Sequence, residues 1–167
     1  MKKTVIKFGQ RAFFTATILF LLALTLGKNL SYGAQEVIGY SSMAISLVFV
    51  FFGIKNYRDQ ENGGTISFGQ ALKVGMLITT FAALGFGIID YIYTAYINPE
   101  FVQEYLEHFS KDLENTYSGA ELATKKAELN SSMEQMTSGF MAFIMFATVV
   151  LIGFVISLIS SLILNKK

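Results

Sequence analysis

Three ionisable residues lie next to long apolar segments of this sequence: Asp90, Glu36 and Lys28. Ionisable groups at the depth of an apolar layer are costly, and they often bind ions, protons or ligands. All three, however, map to the ends of their segments, where water is near. There an interfacial salt bridge, or a carboxylate that reaches toward water, is the structural alternative to a coupling or ligand site. We treat Asp90, Glu36 and Lys28 as a candidate polar site, with Asp90 as its central residue.

A second group of ionisable residues recurs every four positions: Glu100, Glu104, His108 and Asp112. This spacing places them on one face of a helix. Carboxylate oxygens suit Ca²⁺ or Mg²⁺, but these ions need ligands that converge from several directions. A di-iron bundle needs Glu-x-x-His pairs on facing helices, and this chain has a single His. The pattern therefore predicts a solvated helix face, with no metal and no cofactor.

The motifs that the sequence lacks argue against hydrolytic and metal chemistry. It has no Cys, no HExxH motif and no nucleophile elbow. Gly63-Gly64 could cradle a phosphate at a helix start, but the spacing and the Lys of a P-loop are absent. Lys and Arg number 13 against 12 Asp and Glu, which gives no electrostatic reason to bind nucleic acid. We expect no catalytic residues and no enzyme.

The elements that position these residues are apolar helices. The chain has 167 residues, 53% of them hydrophobic and 15% charged. A membrane-spanning helix needs roughly 20 residues for a hydrocarbon core of about 30 Å, and the longest uncharged runs approach or exceed that length. No rotation of these runs gives a charged face, as a soluble helix would have. The uncharged runs are 12–27, 37–54, 74–89 and 135–165.

The sequence thus predicts an all-α fold, a polytopic transmembrane four-helix bundle that forms one membrane domain over residues 1–167. The spans lie near 11–28, 37–54, 72–97 and 138–164. The first span also fits a secretory signal peptide, because a basic start and an apolar stretch precede the small residues Ser31 and Gly33. We favour a retained helix, since its charged lead is long and three further spans follow.

The segment 98–137, between the third and fourth spans, carries most of the acidic residues. Phe101, Tyr105, Phe109 and Leu113 recur every four positions and predict an amphipathic helix. Ser118-Gly119 breaks it before a second helical pattern. We expect an extracytoplasmic helical hairpin or, alternatively, a long extension that leads into the fourth span.

Lys and Arg residues set the predicted orientation. Nine of the 13 fall in the two termini and the connection between the second and third spans. Both termini are therefore expected in the cytoplasm of a bacterial inner membrane. Segment 98–137 then faces the periplasm, where it offers a surface to a membrane or periplasmic protein.

Small residues recur every fourth position in the third span: Gly75, Thr79, Ala83 and Gly87. In lipid such residues allow two helix backbones to approach closely. They predict a helix-packing seam, either within the chain or between copies in a homo-oligomer.

The connection between the second and third spans carries a distinctive motif. It reads Phe52-Gly53-Ile54-Lys55-x-Tyr57-Arg58-Asp59, then Gly63-Gly64-x-Ile66-Ser67-Phe68. With Gly39-Tyr40 before it and a charged loop before a last helix that ends in basic residues, the chain resembles an uncharacterised bacterial domain-of-unknown-function family of small four-helix integral membrane proteins. The resemblance implies the architecture and the inner-membrane location, and it transfers no functional residues.

Three classes of function remain. The first is a non-enzymatic scaffold, assembly or sensing component that presents the acidic segment 98–137. The second is a small oligomeric transporter or channel subunit with Asp90 as its coupling carboxylate. The third is a membrane enzyme, which the missing motifs disfavour. Because the middle of each predicted span lacks a charge, the first class is preferred.

Overall fold

The computed structural model describes residues 1–134 and 136–166 and confirms the all-α prediction. No β-strand occurs within those residues; only an isolated antiparallel bridge joins Ile66 and Lys166. Predicted features that include Gln135 (in segment 98–137) or Lys167 (in the basic C-terminal tail) lie outside the described residues, as does the side chain of Glu134. The helices are α1 (Lys2–Leu26), α2 (Tyr32–Asn56), α3 (Phe68–Ile92), α4 (Phe101–Thr116), α5 (Gly119–Glu134) and α6 (Ser138–Leu164).

Four helices, α1, α2, α3 and α6, are long and apolar enough to cross a membrane. The predicted spans are bounded by charged residues, so the bounds of the first three spans differ from those of α1, α2 and α3. α1 begins at Lys2, not near residue 11, because Lys2 and Lys3 are exposed while Val5 and Phe8 pack inward. α2 begins at Tyr32, where the Ser31 side chain accepts a hydrogen bond from the Ala34 N–H.

α3 lies at the centre of the bundle and packs against α1, α2 and α6. Glycines allow close approach on two sides of it. A Cβ on Gly85 would lie 2.9 Å from the Phe13 carbonyl oxygen of α1, and a Cβ on Gly75 would lie 2.7 Å from the Ser157 Oγ of α6. The chain therefore uses its small residues to bring three helix backbones together.

The two ends of the chain meet at one end of the bundle, which we call the terminal end. The Met1 amino group forms an ion pair with Glu61, which follows α2. Ile66 and Lys166 exchange two backbone hydrogen bonds of 2.8 and 3.0 Å. The α2–α3 connection therefore contacts both the start of α1 and the end of α6.

The motif in this connection has a structural explanation. Gly63 and Gly64 have φ angles of +64° and +82°, which side-chain-bearing residues adopt only with strain. Ser67 then caps α3: its Oγ accepts from the Gln70 N–H, and its own N–H donates to Gln70 Oε1. Ile66 between them is 1% exposed. The motif therefore forms a tight turn and a helix cap.

Between α3 and α6 the chain forms two shorter helices. A π-helical turn over Tyr93–Ile97 continues α3, and α4 begins at Phe101. Asn98 is buried, and its side-chain amide donates to Glu104 Oε2 at 2.9 Å. Gly119, at φ +60°, starts α5, and Lys126 of α5 forms an ion pair with Glu114 of α4. We call this end of the bundle the α4–α5 end.

Candidate functional site

A cavity of about 540 Å³ lies at the α4–α5 end. All six helices contribute side chains to its lining. Its volume falls within the roughly 300–1,000 Å³ that is usual for small-molecule sites. A larger groove of about 720 Å³ lies along the start of α1, but it is open and lined by the exposed cations Lys3, Lys7 and Arg11. The cavity at the α4–α5 end is the more enclosed of the two, and two of the three candidate polar residues, Asp90 and Glu36, line it.

Asp90 lines this cavity from the last turn of α3. Asp90 is only 7% exposed to solvent, and its Oδ2 atom is buried without a hydrogen-bond partner among the described residues. No ion pair within residues 1–134 and 136–166 includes it. The interfacial salt bridge considered for Asp90 therefore does not describe its environment: the carboxylate is buried against the cavity.

Glu36 lines the same cavity from the second turn of α2, so the fold brings two of the three candidate residues together. Glu36 is exposed, and its negative charge acts on the hydroxyl of the cavity residue Tyr105. Burial first, and then the Glu36 charge, raise the pKa of the Tyr105 hydroxyl above its usual value. Lys28 is exposed and does not line the cavity. The carboxylates of Asp90 and Glu36 therefore line the cavity, and the Lys28 ammonium does not.

The aromatic stripe of α4 covers the cavity. Phe101, Tyr105 and Phe109 all line it. The Tyr105 ring lies 6.4 Å from the Tyr32 ring of α2, and the Phe101 ring lies 6.0 Å from the Tyr93 ring at the end of α3, both edge to face. Such pairs each add about 0.5–1.5 kcal/mol beyond the burial of area. α4 is thus held over the cavity by contacts to two spans.

The predicted acidic face of α4 is partly engaged by its surroundings. Glu104 accepts the hydrogen bond from Asn98, and the His108 ring stacks on Tyr32 with 4.1 Å between centroids. His108 Nε2 lies 3.7 Å from Asp112 Oδ2. Within residues 1–134 and 136–166, no three His, Asp or Glu side chains converge on a point where a metal ion could bind. The carboxylates of Glu100 and Asp112 remain exposed to solvent.

Methionines make up a further part of the lining, and they were not singled out from the sequence. Five of the seven methionines in the chain reach the cavity, from α2, α5, α6 and the α5–α6 connection. The thioether is polarizable and its chain is flexible, so methionines adapt to irregular ligands. Met141 and Met145 lie four residues apart on α6, but no single spacing links all five, because they lie on four different elements. They are Met43, Met133, Met136, Met141 and Met145.

None of the four residues of the predicted packing seam lines the cavity. Gly75 faces Ser157, and Thr79 faces Gly153, both across the α3–α6 contact. A Cβ on Gly87 of α3 would lie 3.2 Å from the Ala142 carbonyl oxygen, which also belongs to α6. Ala83 is fully buried. In this chain the small residues of α3 therefore pack within one molecule.

Comparison with known proteins finds a family model that covers most of the chain. A family model described as "Protein of unknown function (DUF4199)" matches residues 7–166. Neither the curated proteins nor the solved structures give a match. The match extends over all four apolar helices and the segment between α3 and α6, apart from the start of α1. It confirms the resemblance to a family of unknown function that the α2–α3 motif suggests.

Proposed function

Because the chain belongs to the DUF4199 family, whose description names no activity, we propose a function from its geometry. The protein is a non-enzymatic sensing component of the bacterial inner membrane. Its cavity binds a ligand, and α4 and α5 present an acidic surface to an extracytoplasmic protein. The observation that carries this proposal is that α4 has two different faces. Its aromatic stripe lines the cavity, while Glu107 and its neighbouring carboxylates are exposed to solvent.

The coupling between cavity and surface follows from rigidity. α4 is a single helix of 16 residues, so a movement of Tyr105 in the cavity also moves Glu107 on the opposite face. The Glu114–Lys126 ion pair joins α4 to α5, which supports a helical hairpin that moves as a unit. A ligand that changes the position of the α4 rings would then change the acidic surface that a partner contacts.

The proposed orientation places the terminal end in the cytoplasm and the α4–α5 end outside it. Its support is the distribution of Lys and Arg, because nine of the 13 fall in the two chain termini and the connection between the second and third predicted spans. The α1 helix is retained in this proposal, because Ala12 and Ala16 are fully buried in the bundle. Removal of α1 would expose the α3 face that they cover.

Orientation can be tested without background mutations, because the sequence has no Cys. Glu107→Cys and Gln60→Cys each introduce one exposed thiol, the first in α4 and the second in the α2–α3 connection. A membrane-impermeant maleimide added to intact spheroplasts is expected to label the Glu107→Cys variant only. Labelling of the Gln60→Cys variant alone would reverse the proposed orientation.

The partner can be tested with a photocrosslinking residue at position 107 of the full-length protein in its native membrane. We expect a crosslinked protein that Tyr105→Ala reduces several-fold, because α4 loses its Tyr32 contact. Tyr96→Ala is the matched control, since Tyr96 is 73% exposed and does not line the cavity. No crosslink from position 107, or the same crosslink from position 60, contradicts the proposal.

One observation favours the second candidate, a small oligomeric transporter or channel subunit with Asp90 as coupling carboxylate. Asp90 Oδ2 is buried and has no hydrogen-bond partner within residues 1–134 and 136–166, and ion-coupled transporters use carboxylates at membrane depth. Asp90→Asn should then abolish proton- or ion-coupled flux in proteoliposomes. Flux that is unchanged in this variant removes the candidate. The cavity reaches only one end of the bundle, and Phe86, Leu47 and Ile78 are fully buried toward the other, so the sensing function is preferred.

A further inference from the structure

We propose that the cavity at the α4–α5 end binds a lipophilic cation, an organic molecule with one positive charge and an apolar body. The inference rests on the proposed function for its consequence, the sensing of a ligand, and it names the chemical class of that ligand. It begins from the imbalance of charge in the lining, where two carboxylates, Asp90 and Glu36, occur without a basic residue among the described lining residues.

The Asp90 carboxylate supplies the first half of the argument. An ionised group in apolar surroundings is costly unless a charge or hydrogen bonds compensate it. Oδ2 of Asp90 has no such partner among the described residues, and the residue is 7% exposed. A cation in the cavity would supply the missing partner. An anionic ligand would instead meet two negative groups with no counter-charge.

The cavity wall supplies the second half. The aromatic residues Tyr32, Tyr40, Phe101 and Tyr105 line the same cavity as the two carboxylates. The face of an aromatic ring attracts cations, most strongly when water is excluded. Five methionines and the apolar side chains of α1 and α6 complete the wall, and they would contact an apolar body rather than a hydrated one.

A small metal ion fits this lining poorly. Ca²⁺ binds six to eight oxygen ligands, and Mg²⁺ keeps octahedral geometry. No group of three Asp, Glu or His side chains converges within residues 1–134 and 136–166. The lining thus favours a cation that carries its own apolar surface and sheds little water on entry.

The test uses tetraphenylphosphonium and its near-isosteric anion tetraphenylborate, with full-length protein in lipid nanodiscs. We expect saturable tetraphenylphosphonium binding at one site per chain and at least about tenfold weaker binding of tetraphenylborate. Equal binding of the two ions, or no saturable binding of the cation, overturns the proposal. Either result leaves the crosslink at position 107 as a separate test of the proposed function.

Substitutions of single carboxylates show which of them binds the cation. Asp90→Asn is expected to weaken tetraphenylphosphonium binding at least about tenfold, and Glu36→Gln by a smaller factor because Glu36 is exposed. Glu121→Gln is the matched control, since Glu121 is exposed on α5 and does not line the cavity. Unfolding temperatures of the ligand-free variants show that each is folded. Unchanged affinity in a folded Asp90→Asn variant, or equal losses in the control, overturns the proposal.

Hydrogen exchange gives a readout that does not depend on those variants. Because Tyr105 and Phe101 line the cavity, bound tetraphenylphosphonium should slow amide exchange in α4 several-fold. The α2–α3 connection, at the terminal end, should be unaffected. Equal slowing at both ends would indicate a general effect of the ion on the nanodisc and would contradict binding in the cavity.

Discussion

The Thr79 side chain of α3 occupies the space where a Cβ on Gly153 of α6 would lie. Both Thr79 and Ser157, one helical turn beyond Gly153, have side-chain oxygens that are buried without a hydrogen-bond partner among the described residues. Close packing of the two backbones, rather than hydrogen bonding by these hydroxyls, therefore holds α3 to α6 at this level. In lipid such packing has to provide the attraction that the hydrophobic effect provides in water.

Gly153→Ala should destabilise the bundle, because the new Cβ overlaps Thr79. Overpacking of this kind costs about 1–3 kcal/mol. The change is measured as a lower unfolding temperature in detergent, and Thr79→Ala in the same chain should restore part of the loss. Gly69→Ala is the control, since a Cβ there meets nothing within 4 Å. A Gly153→Ala variant as stable as the parent would contradict the close contact.

Gly64→Ala should destabilise the turn before α3. Gly64 has a φ angle of +82°, and an L-residue in the left-handed region costs roughly 1–2 kcal/mol. Gly64→Asn should cost less, because Asn tolerates this region better. Thermal unfolding of both variants beside Gly69→Ala gives the comparison. Equal stability of the Ala and Asn variants would rule out backbone conformation as the cause.

The pKa of Glu114 should depend on Lys126. The hydrogen bond from the Lys126 ammonium, followed by its charge, holds the pKa of the Glu114 carboxyl below its ordinary value. Because the Glu114 pKa is lower in the folded state than in the unfolded state, the ion pair stabilises the fold at pH values above the unfolded-state pKa. This stabilisation is lost as the pH falls through the folded-state pKa. Its contribution to stability is small, since both side chains are substantially exposed.

Carboxyl-resolved NMR titration measures this pKa directly. Lys126→Met should return the Glu114 value to the ordinary range. Lys111→Met should change it less, because Lys111 acts only through a weaker charge interaction. An unchanged Glu114 pKa in the Lys126→Met variant would mean that α4 and α5 do not pair as described.

The sequence predicted the number of apolar helices and left their rotations open. α2 and α6 are apolar on nearly every side, so their patterns do not show which face meets α3. The small residues of α3 were the exception: Gly75 and Thr79 indicated a close contact before any partner was known. The predicted first span begins near residue 11 because Arg11 bounds the uncharged run, whereas α1 begins at Lys2 and already packs Val5 and Phe8 inward.

The sequence alone determined the all-α class, the four apolar helices and the amphipathic α4, because uncharged length and fourfold spacing are local properties of the chain. Only the tertiary structure decided that Asp90 is buried with no partner for its Oδ2 atom among the described residues, that Glu36 and five methionines share its cavity, and that α4 covers it. These relationships join elements far apart in sequence. The packing of α1, α3 and α6, with close approach at Gly75, Gly85 and Gly153, is likewise a property of the tertiary structure, because periodicity carries no information about which helices will meet.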